Sequence, residues 1–190
     1  FRILQGDFYL FYKLILDFAG LATLAGLGVA AWSRWIKKSV SLEASPRFAM
    51  LIGSLALIII TGFFLEALRL AAQKPAWAGW SFVGNFIATT LFSGVSAEKL
   101  ETAHLILWWI HGIGSLAFIA SIPLNFFSHM FKTPWNIFEQ KLEPMGAAPK
   151  IDNIEEQETF GISQMKQFTW KERLDFASCT ECARCSAVCP

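Results

Sequence analysis

Three long stretches of the chain carry almost no charge. Leu14–Ser33 is apolar but for Asp17, Phe48–Leu65 (FAMLIGSLALIIITGFFL) runs eighteen residues without a charge, and Thr102–Phe131 runs thirty with three histidines as its only ionisable side chains. A helix rises about 1.5 Å per residue, so each stretch is long enough to cross a hydrocarbon layer about 30 Å thick. None has the short apolar core and small-residue cleavage site of a signal peptide. The pattern predicts an all-α membrane protein: a transmembrane helical bundle with three spans in this chain, near 10–34, 48–70 and 100–130.

A fourth uncharged stretch, Pro75–Ala97 (PAWAGWSFVGNFIATTLFSGVSA), is rich in Gly, Ser, Thr and Trp, with Asn85 near its centre. Its low hydropathy, and Trp77 and Trp80 suited to a headgroup belt, predict an interfacial or re-entrant segment over 75–97. Arg34, Lys37, Lys38 and Arg47 crowd the short loop between the first two spans, which marks that loop as cytoplasmic. Three spans then place everything after residue 131 in the cytoplasm; a fourth would place it outside. Beyond the spans, Lys132–Leu142 (KTPWNIFEQKL) predicts a helix at the inner surface with Trp135 and Phe138 toward lipid. Residues 139–168, with Pro144, Gly146, Pro149 and the acidic Glu155, Glu156 and Glu158, form a linker, and Trp170–Ala177 predicts two helical turns. The domains expected are thus a membrane domain over 1–138, the linker, and the start of a cytoplasmic ferredoxin-like iron–sulfur domain over 169–190.

That last assignment comes from the closing residues, CTECARCSAVCP, which contain all four cysteines. Cys179, Cys182, Cys185 and Cys189 followed by Pro190 read C-x-x-C-x-x-C-x-x-x-C-P, the ferredoxin-type spacing for a 4Fe–4S cluster. Three thiolates two residues apart wrap one corner of a cube; the fourth, Cys189, serves this cluster or a second one. Structural zinc usually draws two knuckles from separate parts of a chain, and no other cysteine exists here. A disulfide-stapled extracellular module does not fit a chain that is 54% hydrophobic and 16% charged. With a net charge of +1 there is no electrostatic case for nucleic acid either.

All three histidines, His104, His111 and His129, lie in the third apolar stretch. In an unbroken helix the eighteen residues from His111 to His129 make five whole turns at about 100° each, so both side chains leave one face about 27 Å apart. Two stacked haems, one per leaflet, need that arrangement from a ligand helix. Ionisable groups within spans tend to be functional, although polar side chains bonded to neighbouring helices are the plainer account. Gly112, Gly114 and Ser115 leave room for a porphyrin and equally suit close helix packing. His104, near the outer mouth, is either an interfacial proton, haem or quinone residue or a simple cap. Two bis-histidine haems need four ligands, so partners for His111 and His129 must come from outside these 190 residues, or the histidines are structural.

Two further features bear on chemistry. Glu66 and Arg69, at the end of the second span, are either a proton-handling pair for a quinol or an ion pair at i, i+3. Asp17 either pairs with Lys13 one turn earlier or faces a polar cavity.

LWWIHGIGSLAFIASIPLNFFSHMFKTPWNIF (107–138) resembles the haem-binding helix of membrane subunits like the respiratory nitrate reductase gamma subunit. FTWKERLDFASCTECARCSAVCP (168–190) is similar to the first cluster motif of heterodisulfide-reductase-like iron–sulfur proteins with cysteine-rich repeats. Together they resemble membrane Fe–S oxidoreductases that fuse both halves, a group including electron-transfer-flavoprotein:menaquinone oxidoreductases. The resemblance implies b-type haem ligation by His111 and His129 and 4Fe–4S ligation by the four cysteines. It also implies a further ligand helix before Leu14 and a second cysteine motif after Pro190. The chain is therefore expected to be part of a longer polypeptide in a bacterial or archaeal cell membrane.

The expected function is electron transfer between a cytoplasmic flavoprotein, such as electron-transfer flavoprotein, or a dehydrogenase, and the quinone pool. The alternatives are a heterodisulfide-reductase-type thiol/disulfide subunit and, from another class, a non-catalytic membrane anchor for a soluble redox partner.

Overall fold

The computed structural model describes residues 6–38, 44–140, 142, 162, 164–180 and 184–189, and its regular elements are all helical. The chain divides into two compact units, residues 1–121 and 122–190.

In the first unit, α1 (Gly6–Ala31) runs on through a π-helical turn, Trp32–Ile36. α2 (Pro46–Gln73) begins on a proline, whose missing N–H costs nothing in the first helical turn. It stops at Lys74, which takes a left-handed conformation and returns its N–H to Leu70 O at 2.9 Å; Pro75 then bars continuation. A 3-10 turn, Ala78–Trp80, leads into α3 (Phe82–Leu91), and Gly94, at φ +84°, turns the chain toward α4 (Ala97–Ser121).

Three helical stretches, Gly6–Ile36, Pro46–Gln73 and Ala97–Leu124, are long and apolar enough to cross a membrane. α3, with ten residues, is about 15 Å long and too short to do so. The third span differs from its expected limits near 100–130: the α-helix ends at Ser121 and gives way to 3-10 turns at Ile122–Leu124 and Phe126–Ser128. Pro123 is the physical reason, since it has no N–H for the next rung and its ring crowds the carbonyl four residues back.

α2 is the centre of this unit and packs against α1, α3 and α4. α1 and α2 run antiparallel, as their contacts show: Tyr9 meets Arg69, Lys13 meets Glu66, and Arg34 lies over the Phe48 ring. Close approach is possible because Gly20 has no side chain; a Cβ there would lie 2.5 Å from the Phe63 ring. Ala67, Leu70 and Ala88 form the buried core between α2 and α3, with Trp77, Ile87 and Phe92 around it. Elsewhere the spans turn large apolar side chains outward, among them Phe18, Leu57, Ile113 and Leu116. Such a surface suits lipid and not water.

In the second unit, Asn125 caps the 3-10 turn before α5 (His129–Phe138) by accepting the Phe127 N–H at 2.8 Å. α6 (Trp170–Ala177) opens with a capping box: the Thr169 hydroxyl accepts the Glu172 N–H, and the Glu172 carboxylate accepts the Thr169 N–H at 2.7 Å. α6 spans the two turns expected of it, whereas α5 starts three residues before the expected Lys132–Leu142 and ends four residues short of its end. α7 (Arg184–Val188) follows. Most of the expected linker, including Pro144, Gly146, Pro149, Glu155, Glu156 and Glu158, lies outside the described residues.

Candidate haem and iron–sulfur sites

His111 lies mid-way along α4, against α2. Its Nδ1 is 2.8 Å from the Thr61 hydroxyl, and Gly62 beside it is bare enough that an added Cβ would only touch the imidazole Cε1, at 3.6 Å. One turn on, on the same side of α4, the Ser115 hydroxyl is buried and has no hydrogen-bond partner among the described residues. Cβ atoms added at Gly112 and Gly114 would meet open space. His104 is seven residues earlier on the same helix, about 20° off the His111 direction, and half-buried.

His129 is the first residue of α5, and its Nδ1 lies against the Phe126 carbonyl. A carbonyl only accepts, so Nδ1 carries a proton there, and in the neutral imidazole that leaves Nε2 with its lone pair. His129 therefore does not share a helix with His111: α4 ends eight residues before it. The five-turn register presupposed an unbroken helix, and that ground is withdrawn. What supports these histidines as ligands is local. Each has Nδ1 occupied by a protein oxygen, the usual orienting contact of a metal-bound imidazole. The donor set thus fits haem iron.

The cysteine run is delivered by α6, which is clasped to α5. Thr133, one turn after His129, donates its hydroxyl to Ser178 O at 3.3 Å; Ser178 Oγ donates to Leu174 O at 2.6 Å and reaches Lys132 O at 3.3 Å. Lys171 bridges from α6 to Asn136 Oδ1 and to Asp175, both at 2.6 Å. Ser178 is buried, and the next residue is Cys179, whose N–H donates to Phe176 O at 3.2 Å. Cys179, Cys185 and Cys189 are exposed; Cys182 lies outside the described residues. Among the described residues no three His, Cys, Asp or Glu side chains are gathered as a metal site. The chemistry of the run, four soft thiolates at ferredoxin spacing, fits an iron–sulfur cluster.

A charged network sits where α1, α2 and α3 meet. Glu66 accepts from Lys13 at 2.5 Å and from Arg69 at 2.9 Å, and Arg69 also donates to the Tyr9 hydroxyl at 3.3 Å. The i, i+3 pair is therefore real, but Lys13 joins it from another helix and Glu66 is only 16% exposed. Gly84 makes room: a Cβ there would lie 2.7 Å from Glu66 Cγ. Lys13 being engaged by Glu66, Asp17 turns to the start of α3 and accepts the Val83 N–H at 2.8 Å. Neither this contact nor the Thr61–His111 contact was expected from the sequence. A hydroxyl at Thr61 inside an otherwise apolar span was the one available signal for the second.

The chain is 32% identical over 196 residues, 98% of its length, to the EtfAB:quinone oxidoreductase of Syntrophomonas wolfei. It is 29% identical over 191 residues, 97% of its length, to the probable iron–sulfur-binding oxidoreductase FadF of Bacillus subtilis. These alignments cover 27% and 26% of the two proteins, so the chain spans about a quarter of the length of the curated relatives it matches. No family model matches the chain, and no solved structure does.

Proposed function

We propose that the chain is the membrane-and-cluster segment of an oxidoreductase that exchanges electrons between a soluble flavoprotein and the membrane quinone pool. Menaquinone is the quinone that the family resemblance implies. The observation that carries this is the clasp between α5 and α6, which ties the helix opening on His129 to the helix delivering Cys179. Similarity along nearly the whole chain to an EtfAB:quinone oxidoreductase and to an iron–sulfur-binding oxidoreductase supports the same reading.

Bound haem and cluster supply one-electron redox chemistry that none of these side chains has alone. The chain's own residues do the holding. His111 and His129 offer Nε2 to iron, one haem each, with partner ligands from elsewhere in the complete protein. Cys179, Cys182 and Cys185 offer thiolates to one 4Fe–4S cluster, and Cys189 to that cluster or a second. The outward apolar faces of α1, α2 and α4 keep the haem region in lipid and away from water. The basic residues Arg34, Lys37, Lys38 and Arg47 orient the spans so that the cysteines lie on the cytoplasmic side of a bacterial or archaeal cell membrane.

In the complete protein, reduced-minus-oxidised spectra should show b-type bands, and the reduced enzyme a 4Fe–4S EPR signal. Membranes containing it should pass electrons between electron-transfer flavoprotein and a menaquinone analogue. A purified protein with zinc and no iron, or with no haem bands, would return the chain to the role of an anchor.

A further inference from the structure

We infer that Thr61 is a positioning residue for haem: its side-chain oxygen takes the Nδ1 proton of His111 and so reserves Nε2 for iron. The inference rests on His111 being a haem ligand, and it concerns a residue on a different helix from the histidine itself.

The hydroxyl has one proton and two lone pairs. Thr61 Oγ1 is 2.8 Å from Leu57 O, four residues back, and 3.0 Å from Ile58 O, three back. This is the back-bonded position that threonine adopts in helices, and it commits the proton to the carbonyls of α2. What Oγ1 presents to His111 at 2.8 Å is then a lone pair. A lone pair can only face an N–H, so the neutral imidazole is protonated at Nδ1. The opposite tautomer would set two lone pairs against each other, unless Thr61 gave up its carbonyls in a low-dielectric span.

Tautomer and ring direction are thus set together, before any metal arrives. At Gly62 an added Cβ would come no nearer the ring than ordinary contact, 3.6 Å from Cε1, so Thr61 is what directs it. His129 has its Nδ1 on a backbone carbonyl, Phe126 O, which no side-chain substitution removes. Of the two Nδ1 contacts, therefore, the one at His111 is open to mutation. An acceptor on Nδ1 makes the imidazole a stronger donor to iron, and loss of such a partner typically costs about 10–100-fold in metal affinity. A weaker axial donor favours the reduced iron and raises the potential.

The test uses the complete haem-loaded protein with Thr61→Val, Thr61→Ser and Thr61→Asp, reading haem stoichiometry, potentiometric titration and the EPR g values of the low-spin ferric haems. Thr61→Val, which keeps the shape and loses the acceptor, should weaken retention of one haem at least tenfold and raise that haem's potential. Thr61→Ser should restore both values, and Thr61→Asp, a stronger acceptor, should lower the potential of the same haem. The other haem should be unmoved throughout. Should Thr61→Val fail to accumulate, Thr61→Asp decides the matter: a potential equal to that of the unaltered protein overturns the proposal. Unchanged stoichiometry, potential and g values in Thr61→Val overturn it as well, and leave Thr61 a packing residue. If His111→Ala keeps every haem, the failure lies in the ligand assignment, and Thr61 falls with it.

Discussion

Asp17 of α1 accepts a 2.8 Å hydrogen bond from the backbone N–H of Val83, the second residue of α3, sixty-six positions along the chain. α3's own N-cap, Ser81, makes no capping bond, and its hydroxyl is buried without a partner among the described residues. A carboxylate from another helix therefore does the capping, where the positive end of the helix dipole favours it. Asp17→Leu should leave the Val83 N–H unpaired and destabilise the membrane domain by roughly 1–3 kcal/mol. Asp17→Asn, which keeps an accepting oxygen, should cost less. Thermal unfolding of the two variants in detergent checks the order, and equal midpoints would remove Asp17 from this role.

Replacing Cys182 by Ser should abolish the EPR signal of the cluster, because a hard alkoxide is a poor ligand for a soft iron–sulfur centre. The haem spectrum should survive intact. Loss of both signals together would mean that the two sites do not assemble independently.

The histidines make a three-part prediction. His111→Ala should remove one b haem and spare the other, His129→Ala should do the reverse, and His104→Ala should leave both in place. Pyridine haemochromogen counts on each purified variant decide this. A haem lost from His104→Ala would transfer the ligand role to that residue.

Cysteine-accessibility labelling of the loop over 34–47 tests the orientation. Single cysteines introduced there should react only with membrane-permeant reagents in whole cells. Reaction with an impermeant reagent would invert the membrane domain.

The spans were legible because lipid demands long uncharged runs, and FAMLIGSLALIIITGFFL can be little else. The ten-residue α3 was legible as something short of a span, through the Gly, Ser and Thr that dilute its hydropathy. α6 could be read for a local reason: Thr169 and Glu172 are neighbours in sequence as they are in the capping box. The four cysteines belong to the same kind, a candidate site written within eleven residues. The contacts that bring helices together were not legible. Thr61 and His111 are fifty residues apart, and the partner of Asp17 is a backbone N–H, which every residue but proline carries. The break after Ser121 did have a signal in Pro123, but the unbroken apolar run around it outweighed one proline.

That break changes what an insertion or deletion between the histidines would do. In a continuous helix each added or lost residue swings everything beyond it through about 100°, so a ligand pair survives only if the count between them is kept. The stretch from Ile122 to Ser128 is made of 3-10 turns, and Asn125 starts the second of them afresh. A residue gained or lost there can be taken up as a change of loop length, without rotating α5 as a continuous helix would. Homologous chains should therefore tolerate length variation here and resist it within Ala97–Ser121, where the direction of His111 depends on every rung.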